Sequence, residues 1–85
     1  MKAIKIWRDL KNAQDKGDLS ELARLSFELA HECGHFNNEE ECSPYMFMGL
    51  EGSVLFFKHR TTREYYNFIV PNSLRLNSIL LAEVS

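Results

Sequence analysis

The hydrophobic period of this chain changes once, and that change limits its fold more than any other feature. Between residues 3 and 33 apolar residues recur every three to four positions, as on one face of a helix. From Tyr45 to Val70 they come in short runs rich in aromatic and β-branched types, as in strands. Helices grouped first and strands grouped after predict an α+β architecture. The expected arrangement is an N-terminal αα-hairpin packed on a small antiparallel sheet of three to four strands. With 85 residues there is room for a single domain, 1–85, and not for two.

In the helical half, Ala3, Ile6, Trp7, Leu10 and Ala13 form an apolar stripe, which predicts a helix to about Lys16. An opening strand is the alternative, because Ile4 and Ile6 also alternate with lysine. Gly17 is a helix terminator, and Asp18 followed by Glu21 is an N-cap with a reciprocal partner. The second helix should run to about Cys33. Its core set would be Leu19, Leu22, Ala23, Ser26, Leu29, Ala30 and Cys33, with Arg24, Glu28, His31 and His35 on the solvated side. Residues 34–44 then read as a polar loop with an acidic run, Glu39, Glu40 and Glu41. Such a run is solvated surface or a patch for a cation or a basic partner.

In the strand half, residues 45–50 close on Glu51-Gly52. Residues 54–59 and 64–70 flank the four-residue loop Arg60-Thr61-Thr62-Arg63. Pro71-Asn72-Ser73 breaks the sheet, and residues 74–84 fit either a last strand or a terminal helix. The hairpin fails to alternate. One face carries Leu55, Phe57, Tyr66, Phe68 and Val70, and the other carries Val54, Phe56, Tyr65 and Ile69. A strand solvated on one side alternates apolar with polar. The helical hairpin can cover one face only. The other calls for the C-terminal segment, a second copy of the chain or a partner.

One motif bears on chemistry. His31-Glu32-Cys33-Gly34-His35 spells HExxH, which on a continuous helix presents two imidazoles to one metal ion and a carboxylate to its bound water. The stretch from Leu29 to Phe36 resembles the active-site helix of zincin metallopeptidases. There too, uncharged residues fill the gaps and an apolar residue follows the second histidine. The resemblance covers those eight residues and implies His31 and His35 as zinc ligands and Glu32 as the general base. Catalytic zinc takes a third protein ligand. His59 does not fit the extended pattern, and Glu39, Glu40 or Glu41 would serve only if the loop folded straight back. Cys33 and Cys42 could join His31 and His35 in a mixed structural zinc set, at a spacing unlike the standard fingers. Without metal they read as one buried thiol and one loop thiol. Gly34 pulls the other way, because glycine there ends helices and would take His35 out of register.

The net charge of −2 and pI of about 5.9 give no general attraction to nucleic acid or anionic membrane. No apolar run approaches a membrane span, and residues 1–10 lack the apolar core of a secretion signal. The expected location is the cytoplasm, with reduced cysteines. Lys58, His59, Arg60 and Arg63 form a basic tip beside Tyr65 and Tyr66. Such a tip can hold single-stranded nucleic acid or simply keep the strand edges soluble.

These readings predict a small protein that acts by binding another protein, not by catalysis. Inhibitors, immunity proteins and phage-type host-takeover or regulatory factors share its size and charge class. The expected contact residues are Phe56, Tyr65, Lys58, Arg60 and Arg63, with Glu39, Glu40 and Glu41 as a second patch. A homodimer through the sheet is one form of that reading, and no cofactor is needed. The first alternative is a zinc protein or minimal metallohydrolase using Glu32, His31, His35, Cys33 and Cys42. The second is a nucleic-acid accessory protein.

Overall fold

The computed structural model describes residues 2–74. The elements are α1 (Lys2–Lys16), α2 (Leu19–Glu32), α3 (Glu39–Cys42), β1 (Tyr45–Glu51), β2 (Val54–His59) and β3 (Tyr65–Ile69). The three strands form an antiparallel meander in the order β1-β2-β3. This is the predicted α+β plan, with a helical pair ahead of a small sheet. Most of the stretch 74–84, strand or helix by sequence, lies outside the described residues. None of the described helices is long and apolar enough to cross a membrane.

Two adjacent residues make the helical hairpin. The Gly17 N–H donates to the Gln14 carbonyl at 3.1 Å and the Asp18 N–H to the Ala13 carbonyl at 3.0 Å, satisfying the last acceptors of α1. The Asp18 side chain then accepts from the Glu21 N–H at 3.2 Å and starts α2. The reciprocal half of that capping box is absent. The Glu21 carboxylate pairs with Arg24 instead.

The core is built from one stripe each of α1 and α2 and one face of the sheet. Helix α1 buries Ile4, Ile6, Trp7, Leu10 and Ala13, and α2 buries Leu22, Leu25, Ser26, Leu29 and Ala30. Leu19 is 74 % exposed and departs from the expected core set. It occupies the first position of α2, at the hairpin's tip, where the core has ended. Leu25, nearly two turns further in, is buried instead. Ser26 is fully buried because its hydroxyl donates to the Leu22 carbonyl at 2.7 Å. From the sheet Leu55, Phe57 and Phe68 close the core, joined by Val70 just after β3 and Phe36 from the segment after α2. Phe27 of α2 and Phe36 both pack on Phe57, with ring centroids 4.9 and 5.5 Å away.

The sheet has one irregularity that matters for its other face. Phe47 pairs with Phe57 and Gly49 with Phe56, so Met48 is an extra residue, a β-bulge in β1. The bulge sets a glycine directly opposite Phe56. No side chain from β1 therefore covers that ring in register. The edge strand β1 is tied to α1, where the Gln14 amide donates to the Leu50 carbonyl at 3.2 Å. Glu51 and Val54 are joined by the two-residue turn Gly52-Ser53, with a positive φ at its first position.

Candidate functional site

The histidine motif does not continue as one helix. Helix α2 stops at Glu32, with Cys33 as its cap. Gly34 takes φ +84°, a left-handed conformation open to glycine without steric cost. The Gly34 N–H then donates to the His31 carbonyl at 3.0 Å, and the His35 N–H to the Ala30 carbonyl at 2.9 Å. This double closure is the Schellman ending, and it puts His35 beyond the helix.

The two imidazoles consequently serve different partners. The His31 Nδ1–H donates to the Phe36 carbonyl at 2.7 Å and the residue is exposed. His35 is half-buried, its Nδ1 hydrogen-bonded to the Tyr66 hydroxyl and its ring 4.3 Å from that of Phe68. The Glu32 carboxylate lies 3.2 Å from the Lys2 ammonium. Burial pushes the Cys33 thiol above its ordinary pKa, and the Glu32 charge adds to this. The thiol form is a poor ligand, since metals bind the thiolate. The Cys42 thiol donates to the Glu39 carbonyl at 3.4 Å. Among the described residues no group of three or more His, Cys, Asp or Glu side chains is placed to hold a metal ion. His31 and His35 thus do not share one helix face in the way the zincin resemblance implies.

His35 instead makes a testable contribution to stability. Burial pulls its pKa below the ordinary imidazole value, so the folded chain favours the neutral ring. As pH falls through about 6.5 the unfolded chain takes up this proton first. Stability should therefore drop from there down to the depressed folded value and level off below it. Urea midpoints measured between neutral and mildly acidic pH should show this slope. His35→Gln should flatten it relative to the parent.

The acidic run is a short helix rather than a loop. The Asn38 side chain caps it by accepting from the Glu41 N–H at 3.0 Å. Three glutamates in a first turn suit the positive end of the helix dipole. Glu41 also accepts from the Asn37 N–H at 2.6 Å. Glu39, Glu40 and Glu41 are exposed and do not lie on the sheet face.

The remaining predicted contact residues do converge. The strand register puts Val54, Phe56 and Lys58 of β2 on the face turned away from the core, beside Tyr65, Asn67 and Ile69 of β3. On β1 the same face carries Met46, Glu51 and the bulged Met48. Met48, Tyr65 and Ile69 are 47, 57 and 67 % exposed. Met48, Glu51, Phe56 and Tyr65 surround a shallow depression of about 300 Å³, floored in part by Gly49. The Lys58 ammonium lies 5.3 Å from the centre of the Tyr65 ring. Arg60 and Arg63 sit exposed in the adjoining loop. That loop is tied by His59, whose Nδ1 accepts from the Thr61 and Thr62 N–H groups at 3.2 and 3.1 Å. Arg63 closes it at φ +67°.

Met48 and Glu51 belong to this surface although composition did not mark them. Only the bulge and the strand register bring them there. Compared with known proteins, the chain matches no family model, no curated protein and no solved structure.

Proposed function

We propose that this chain acts by binding another protein through the outer face of its sheet, in the manner of an inhibitor, immunity protein or regulatory factor. The observation that carries the reading is the apolar face itself. Met48, Tyr65 and Ile69 stand exposed around Phe56, with nothing over them among the described residues. Leaving apolar area in water costs about 25 cal/mol per Å². A contiguous patch of this kind marks an interaction site. Tyrosine, phenylalanine and methionine are also types that interfaces favour. The basic tip at one end gives the surface a polar rim that would orient an acidic partner. Cys33 and Cys42 are both free, which suits the reducing cytoplasm.

The test is site-specific photocrosslinking in the native host. A photoreactive phenylalanine at position 67, on the face, should yield an adduct, and one at position 20, at the start of α2, should not. Absence of any adduct from position 67 overturns the reading.

A further inference from the structure

The outer face carries its two charges at opposite ends. Its side chains fall into three rows across the strands. Glu51, Val54 and Ile69 form one end row. Gly49, with Met48 beside it, Phe56 and Asn67 form the middle row. Met46, Lys58 and Tyr65 form the other end row. Among the described residues neither Glu51 nor Lys58 has an ion-pair partner.

Consider a second copy placed face to face, related by a two-fold axis running at right angles to the strands over the middle row. Each end row then meets the opposite end row, and the middle row meets itself. Phe56 stacks on Phe56. Asn67 meets Asn67, and an amide offers both a donor and an acceptor to its twin. Tyr65 covers Ile69. Glu51 of each copy comes beside Lys58 of the other. A two-fold axis along the strands would set Lys58 against Lys58, so the charge pattern selects the first arrangement.

We propose that this face is a self-complementary dimer interface and that its occupant is a second copy of the chain. The proposal rests on the reading of this face as the working surface and names its partner. Such an interface is isologous, each contact away from the axis occurring twice. The sheets would pack in the aligned manner, about 10 Å apart. Three strands at about 4.8 Å spacing make a face of a few hundred Å², below the roughly 800 Å² per partner of a standard interface. The dimer is therefore a weak, reversible one.

Sedimentation of the full chain over a concentration series tests this. The parent should pass from monomer to dimer. Glu51→Lys and Lys58→Glu should each weaken dimerisation on the order of tenfold, because each turns two attractions into two repulsions. The double variant should regain it. An equimolar mixture of the two single variants should form a mixed dimer that neither forms alone, which also shows that both are folded. A parent that stays monomeric throughout overturns the proposal, including the case in which residues 75–85 cover the face. A dimer indifferent to both charge reversals overturns it as well. A monomer that still crosslinks a different protein from position 67 removes the second copy as partner and leaves the binding reading standing. No adduct at all removes both.

Discussion

Phe57→Ala should lower folding stability by about 3–5 kcal/mol, the range for deleting a large aromatic from a close-packed core. Phe57 is 0 % exposed in the central strand. Its ring meets Phe27 of α2, Phe36 of the following segment and Phe47 of β1, at centroid distances of 4.9, 5.5 and 5.9 Å. Three separate segments thus hold the walls of the cavity that alanine would leave. Closing it requires moving a helix against a sheet, so little relaxation can offset the loss. Small domains hold about 5–15 kcal/mol in total, and this one change would remove a large part of it. Urea unfolding should show a much lower midpoint with an unchanged slope. A loss below about 1 kcal/mol would mean that Phe57 is not the centre of the core.

The parts of this fold that local chemistry determines were legible in the chain. Gly17 and Asp18 specify the hairpin because one residue can leave a helix only as glycine readily does and the next can cap with a carboxylate. The inner sheet face followed from a spacing of two through Leu55, Phe57, Tyr66, Phe68 and Val70. What tertiary packing determines was not legible. A helical wheel admits Leu19 and Leu25 about equally, and only the position of the sheet decides that Leu25 is buried. Phe36 looked like part of a polar loop because nothing local shows that the chain turns inward after Gly34. The HExxH pattern and the terminating glycine inside it made opposite demands. The left-handed turn prevails because it satisfies two helix carbonyls and seats His35 against Tyr66 and Phe68. The bulge at Met48 had no local signature, since a register shift belongs to a strand pair and not to a sequence.

Replacing Phe56 and Tyr65 together with serine should abolish association while changing stability by less than about 1 kcal/mol per site. Phe56 is the neighbour of Phe57, identical in type and opposite in direction. It lies on the outer face at half burial, in the depression beside Met48 and Glu51. Tyr65, 57 % exposed, lines the same depression. Serine at these positions leaves Leu55, Phe57, Phe68 and Val70 in place, so the core keeps its packing. What is lost is the apolar area that a partner would cover, together with the ring beside Lys58. Near-central aromatic residues carry a disproportionate share of binding energy, so two substitutions suffice for a face this small. Urea midpoints and sedimentation on the same preparation separate the two effects. A folded double variant that associates as the parent does would place the interface elsewhere. One that fails to fold would show that the outer face is structural, with part of the core's work done on the side away from the helices.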